Sequence, residues 1–161
     1  MPIEYAKNDE MEKAVIDLIS DTAYEEFNAI RDYELGFQIA AKVKTNADGE
    51  QEPTTGEPVV VRRIGPADAV FLNGHFKIYI CDLRWRESSR DHQKAMLHQA
   101  LMRILIENTD SGIKIKMRKP DVVTFQQTIV RFGAWEDQLI QLRNNLVSAQ
   151  KKAKATLVNS A

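Results

Sequence analysis

The sequence predicts an α+β protein in which a small antiparallel sheet packs against one long central helix and is flanked by terminal helices. Apolar residues recur every three or four positions near both ends of the chain and again over residues 89–107, as they do in amphipathic helices. Four shorter runs are typical of strands, because they alternate apolar with polar residues or are rich in valine. We predict strands at residues 35–43, 58–63, 76–81 and 113–118.

The composition is that of one globular domain covering residues 1–161, with 43% hydrophobic and 28% charged residues. The 22 Lys and Arg residues nearly balance the 23 Asp and Glu residues, so any attraction for nucleic acid or an anionic membrane has to be local. No apolar stretch approaches the roughly 18 residues that span a bilayer, and the amino terminus has no targeting pattern. We expect a cytoplasmic protein with no membrane partner. The single Cys81 excludes an intramolecular disulfide and is expected to be buried and inert.

The amino-terminal part of the chain is predicted to be helical, followed by a strand and a loop. Residues 9–30 carry an apolar stripe at helical spacing, with a break near residues 20–22, where side chains able to cap a second helix occur. After the strand at 35–43, residues 45–57 are polar and contain an Asp-Gly pair that favours a tight turn. We predict a flexible hairpin loop there.

The central helix at residues 89–107 has the strongest pattern of any element. Residues 88–91 offer capping side chains at its start. The stripe on its inner side consists of Lys94, Leu97, His98, Leu101, Ile104 and Leu105. Pro120 and Gly133 bound a further helix, and a last helix leads into a basic, frayed tail at residues 151–161.

The central helix contains the pentapeptide His98-Gln99-Ala100-Leu101-Met102. In the zinc-peptidase motif H-E-x-x-H, two histidines four residues apart lie on one helical face and hold one zinc, while the Glu takes a proton from the metal-bound water. Here only the first histidine is in place. Gln99 cannot act as a general base, and the Met102 thioether is a poor zinc ligand. His98 is expected to be a buried histidine with its hydrogen bonds satisfied.

Three segments occur in an order that is typical of a known family. They are Phe76 to Ile80 followed by Trp85, Gln93 to Met102, and Pro120 to Phe125 followed by Arg131 to Trp135. They resemble a strand and tryptophan, an Ala-Leu-Leu-x-His-Glu-Leu-x-His helix, and an Asp-Val-Glu-Glu-Phe segment followed by Arg-x-Gly-x-Trp in the zincin-like metallopeptidases of bacteriophages and prophages. The similarity covers roughly residues 76–138 and is weaker over residues 11–64.

The resemblance implies a metal site that has been lost. Carried over residue by residue, the first metal ligand falls on His98, the catalytic Glu on Gln99 and the second ligand on Met102. The downstream acidic positions of the family are occupied by uncharged residues here, so Asp121 alone remains as a carboxylate. A catalytic zinc needs three protein ligands and a water. We therefore predict no catalytic residue, no bound metal and no other cofactor.

A rebuilt metal site is the alternative. His92 lies six residues before His98, about 240° around a helix, and so points elsewhere. His75 precedes a strand, and it would have to join His98 and Asp121 to form such a site.

The strand at residues 113–118 has one apolar and one basic face. The basic face consists of Lys114, Lys116 and Arg118 and is extended by Lys119. Such a face is usually the solvated side of an edge strand, where charge prevents unwanted pairing. The alternative is contact with a nucleic-acid backbone or with a protein partner.

Three functional hypotheses follow. The leading one, which comes from the resemblance, is a catalytically inactive relative of a phage metallopeptidase that binds a host or phage protein, as an inhibitor of a host protein or defence complex. The second is a nucleic-acid-associated protein that uses residues 114–119. The third is a metallopeptidase with a rebuilt metal site. No small-molecule substrate is indicated, and phage origin implies the cytoplasm of the bacterial host.

Overall fold

A computed structural model describes residues 2–119, 126–132 and 149–151 of the chain. The chain forms two compact units, residues 1–120 and residues 121–161. The elements of the first unit are β1 (Ile3–Ala6), α1 (Asp9–Ser20), a 3₁₀ turn (Glu25–Phe27), α2 (Asn28–Asp32), β2 (Phe37–Thr45), β3 (Gln51–Glu52), β4 (Val59–Arg63), α3 (Pro66–Ala69), β5 (Phe76–Cys81), α4 (Asp82–Arg86), α5 (Arg90–Leu101), β6 (Ile104–Thr109) and β7 (Gly112–Met117). In the second unit, α6 spans Gln126–Phe132.

The main sheet is mixed, so the prediction of an antiparallel sheet is wrong. Its strand order is β1-β2-β5-β4, and the short β3 also pairs with β2. β5 runs parallel to β2, with Phe37 opposite Phe76, whereas the other pairs of this sheet are antiparallel. The chain first forms β4 at the edge and then returns through β5, between β4 and β2. Alternation of apolar and polar residues indicates which side of a strand is buried, and it carries no information on strand direction.

One face of this sheet and two helices form the core of the first unit. The buried side chains include Ala41, Val59, Val61, Phe76, Ile78 and Ile80 from the sheet, Met11, Val15 and Leu18 from α1, and Ala95, Leu97 and Leu101 from α5. α1 contacts β2 and α5, and α5 contacts β4. The apolar stripes predicted for both helices are therefore the surfaces that cover the sheet.

The central helix α5 ends at Leu101, six residues before its predicted end. Two residues that fit the helical stripe, Ile104 and Leu105, instead lie in β6, which pairs with β7 in a separate two-stranded hairpin. The β-branched residues of β6 favour a strand, and Gly112 supplies the left-handed backbone that the turn requires, with a φ of +118°. The strand predicted at 113–118 exists, and it lies outside the main sheet.

The amino-terminal elements differ from the prediction in two respects. β1 has no counterpart in the prediction and pairs with β2. α1 begins after Asn8, whose Oδ1 accepts a hydrogen bond from the backbone N–H of Met11 at 3.0 Å. It ends at Ser20, within the predicted break, and the 3₁₀ turn and the short α2 replace a continuous helix.

The loop predicted at residues 45–57 contains the tight turn between β2 and β3. Asn46 Oδ1 accepts hydrogen bonds from the backbone N–H groups of Asp48 and Glu50, and Gly49 adopts a φ of +81°. β3 then pairs with the end of β2. The flexibility of this loop and the single-domain organisation stay predictions.

Several predicted features lie outside the described residues. These are the helix start at Pro120, Asp121, most of the last helix, and the tail beyond residue 151. α6 falls within the helix predicted between Pro120 and Gly133. In the ranges that are described, every helix is too short or too polar to cross a membrane.

Candidate functional site

The helix α5 carries the degenerate motif, and its start is fixed by a side-chain cap. Ser89 Oγ accepts a hydrogen bond from the backbone N–H of His92 at 3.2 Å, so the helix begins where the capping residues predict. The following turns place Ala95, Leu97 and His98 in the core. The motif residues thus lie in the last turn of a helix that is buried along one side.

His98 is fully buried and lies within hydrogen-bond distance of Glu26 in the 3₁₀ turn. Its Nε2 lies 2.9 Å from Glu26 Oε1, and the two side chains are 0% and 5% exposed. The rings of Phe27 and Tyr24 pack around the imidazole, with ring centroids 5.3 and 5.9 Å away. The structure therefore buries His98 as predicted and provides it with a carboxylate partner.

Glu26 is a residue of the site that no sequence pattern indicated. It is adjacent to the apolar stripe of Tyr24, Phe27 and Ile30, where a charged residue has no distinctive spacing. The chain forms a 3₁₀ turn here instead of the predicted helix. The side chain of Glu26 contacts His98, which lies 72 positions away in the sequence. The sequence gives no signal for this role, because a charged residue next to a core residue ordinarily faces solvent.

The other motif positions do not complete a zinc site. Gln99 is half-buried, and Met102 is buried at the end of α5. Asp121 lies outside the described residues. Across the described ranges, no cluster of three His, Cys, Asp or Glu side chains could hold a metal ion. Among the described residues, His98 therefore has one carboxylate neighbour, Glu26, and lacks the third protein ligand that a catalytic zinc requires.

The two other histidines are placed away from the motif. His75 lies just before β5, and its Nδ1 accepts a hydrogen bond from the backbone N–H of Gly36 at 2.9 Å. His92 is in the first turn of α5, half-buried. Within the described ranges, neither imidazole joins His98 in a group of three potential metal ligands.

The basic strand β7 is only partly free to bind an anion. Lys116 Nζ lies 3.1 Å from Glu107 Oε2, and Lys114 is opposite the same glutamate in the β6–β7 register. Arg118 Nε donates to the carbonyl of Met102 at 2.7 Å, so this arginine caps the carboxyl end of α5. Lys119 is exposed. The four cations therefore do not form one uninterrupted basic surface.

A cavity of about 450 Å³ lies between α1 and α5, and we name it the α1–α5 groove. Arg90 and Lys94 line its α5 side. The α1 side and the turn after it contribute Glu10, Lys13, Asp17 and Asp21. None of these six charged side chains takes part in an ion pair within the part of the chain that is described. The remaining lining includes apolar and aromatic side chains, so the groove offers both charge signs around an apolar base.

Cys81 is buried at the end of β5, as predicted, and its thiol is polarised by its neighbours. Burial raises the pKa of Cys81, but hydrogen bonds from the Thr54 side chain and from the backbone of Arg84 and Thr54, together with the Arg84 charge, outweigh it. The pKa of Cys81 is therefore lowered from its ordinary value of 9.0.

We expect Thr54→Val to raise the pKa of Cys81, because the strongest hydrogen bond to the thiolate is removed. A folded-state pKa below the unfolded one means that the thiolate stabilises the protein fully above the unfolded pKa and that this contribution is lost as pH falls through the folded pKa. Absorbance of the thiolate as a function of pH measures the midpoint directly. Thr55→Val, at the exposed neighbouring position, is the control and should leave the pKa of Cys81 unchanged. Equal titration midpoints of Cys81 in the two variants would contradict the prediction.

The fold and the site define an α+β protein whose motif helix keeps one of two zinc-peptidase histidines and pairs it with a buried carboxylate. Comparison with family models finds a match over residues 3–148 to a family described as "Putative phage metallopeptidase". The chain belongs to this phage metallopeptidase family. Neither the curated proteins nor the solved structures gave a match to the chain.

Proposed function

We propose that this chain is a catalytically inactive, zincin-like member of the phage metallopeptidase family that acts by binding a protein. The partner is a host protein or a host defence complex, and the chain inhibits it in the bacterial cytoplasm. The observation that supports this proposal is the buried His98–Glu26 pair, because no third potential metal ligand joins it among the described residues.

The chemistry of the motif supports loss of peptidase activity. A peptidase zinc needs a lone pair from each ligand and an open position for water, next to a base that accepts the water proton. His98 has no exposed surface, and Gln99 is not a base at any ordinary pH. His98 instead belongs to the core, as one of six buried side chains that α5 contributes.

The α1–α5 groove is the surface that we assign to the protein partner. Its α5 side carries Arg90 and Lys94, and its α1 side carries three acidic side chains and one basic one, Lys13. Side chains of a partner that carry both charge signs around an apolar group would complement it. The basic row of β7 is a weaker candidate, because Glu107 already compensates part of its charge.

A pull-down from host lysate, with bound zinc quantified in the same preparation, tests the proposal. We expect a specific protein to be retained by the wild type and lost with Arg90→Glu combined with Lys94→Glu. Both positions lie in the first two turns of α5, where the helix dipole favours acidic residues, so folding should be preserved. Lys114→Glu combined with Lys119→Glu is a control with the same charge change on the hairpin, and it should retain the partner.

The same preparation should contain far less than one zinc per chain. A stoichiometric zinc that is lost on His98→Ala would instead support the rebuilt metallopeptidase. Gln99→Glu combined with Met102→His recreates the pentapeptide signature, and we expect weak metal binding and no cleavage of casein from it. Zinc-dependent cleavage by that variant, or equal retention of the partner by both charge variants, would overturn the proposal.

A further inference from the structure

The face of the main sheet that points away from α1 and α5 has a composition unlike the core face. On β1, β2, β5 and β4, this face is formed by the residues that alternate with those of the core face. The side chains on it are half-buried or exposed. We name this surface the outer sheet face, and its residues are Ile3, Tyr5, Gln38, Ala40, Lys42, Lys44, Val60, Arg62, Lys77 and Tyr79.

Two tyrosines form an aromatic pair at the middle of the outer sheet face. Tyr5 on β1 and Tyr79 on β5 have ring centroids 5.3 Å apart in an edge-to-face arrangement, with an interplanar angle of 61°. They reach each other across β2, where Ala40 lies opposite Tyr79 and leaves room above the strand. Tyr5 is 56% exposed, so one large aromatic ring is open to solvent on a rigid support.

Four cations surround this aromatic pair. Lys42 is opposite Tyr5 in the register, and Arg62 and Lys77 lie side by side one row beyond Tyr79. Lys42 and Arg62 take part in no ion pair among the described residues. Lys44 and Lys77 each contact one carboxylate, at 3.5 and 3.7 Å, in exposed pairs that are weak in water.

The outer sheet face is therefore positive in a protein whose net charge is −1. Four cations face two carboxylates there, and the positive charge lies on both sides of the tyrosines. An aromatic ring between cations fits a chain in which planar bases alternate with phosphates. Duplex DNA does not fit, because its bases are stacked inside and cannot reach a flat sheet.

We propose that the outer sheet face binds single-stranded nucleic acid, with bases stacking on Tyr5 and Tyr79 and phosphates held by Lys42 and Arg62. This surface is distinct from the α1–α5 groove and from β7, so it adds a second binding activity to the one proposed above. Sheets with exposed aromatic residues bind single strands in this way without strict sequence preference.

Fluorescence anisotropy with a labelled oligothymidylate of about 12 nucleotides tests the proposal at about 50 mM NaCl. We expect saturable binding that weakens as salt rises, and weaker binding of the same sequence as a duplex. Tyr5→Ala should reduce affinity by about tenfold, which is the size of one missing base stack. Lys42→Gln combined with Arg62→Gln should flatten the salt dependence, by about 0.7 in logarithmic slope for each phosphate that is no longer neutralised.

Two matched variants locate the effect. Tyr33→Ala removes another exposed tyrosine, which lies outside the sheet, and should leave binding unchanged. Lys114→Gln combined with Lys116→Gln removes two cations from the hairpin and should do the same. Absence of binding at low salt, a stronger effect of the hairpin variant, or equal affinity for the duplex would overturn the proposal.

Discussion

Replacement of His98 by alanine is expected to lower the free energy of unfolding by about 3 to 5 kcal/mol. The imidazole is fully buried, and its Nε2 is 2.9 Å from a carboxylate oxygen of Glu26 that is itself nearly inaccessible to water. Without the ring, the buried carboxylate loses its hydrogen bond to the imidazole, and the space beside Phe27 becomes a void. Chemical denaturation at constant pH measures the loss of stability.

A double-mutant cycle separates the His98–Glu26 pair from simple packing. We expect His98→Leu and Glu26→Leu each to be costly and the double variant to lose less than their sum, because the contact between the two side chains is lost only once. Lys116→Ala, which breaks an exposed pair with Glu107, is the control and should cost under about 1 kcal/mol. If the two single losses add to within about 0.5 kcal/mol, the pair is not energetically coupled and the prediction fails.

Local patterns in the sequence were enough to predict the helices and strands that bury one side. The stripe of α5 from Leu97 to Leu101, the alternation of β5 and the break after α1 all depend on side chains close together in the chain, and the structure agrees with each. Lys94, which was predicted to begin that stripe, is exposed. The direction of β5 and the pairing of β7 with β6 depend on where distant strands meet. No period in the sequence records that, which is why the mixed sheet and the separate hairpin were not predicted.

The candidate site shows the same division between local and distant information. The pentapeptide at residues 98–102, and the Gln that stands in place of the general base, can be identified from the sequence alone, because the motif is defined by spacing on one helix. The partner of His98 comes from a 3₁₀ turn 72 residues away, and the α1–α5 groove exists only when two helices pack together. The tyrosines of the outer sheet face are likewise far apart in the sequence, and only β2 between their strands brings the rings together.

Two leucines near the end of α5 give the sharpest test of where this helix stops. Leu101→Ala is expected to cost about 2 to 5 kcal/mol, because the side chain is 1% exposed and its removal opens a cavity in the core. A helix continuing to residue 107 would place Leu105 on the same stripe and predict a similar cost for Leu105→Ala. In the structure, Leu105 lies in β6 and is 36% exposed.

Leu105→Ala is therefore expected to cost less, about 1 kcal/mol, since the side chain is already 36% exposed and its removal leaves a site open to water instead of a closed cavity. The same substitution four residues apart thus has a large effect at one position and a small effect at the other, so differences in chemistry between the residues cannot explain the contrast. The denaturant midpoints of the two variants, analysed with one common m-value, give the loss of unfolding free energy for each variant. Equal losses of several kcal/mol would mean that the core extends across residues 104–105, and the end of α5 at Leu101 would then be wrong.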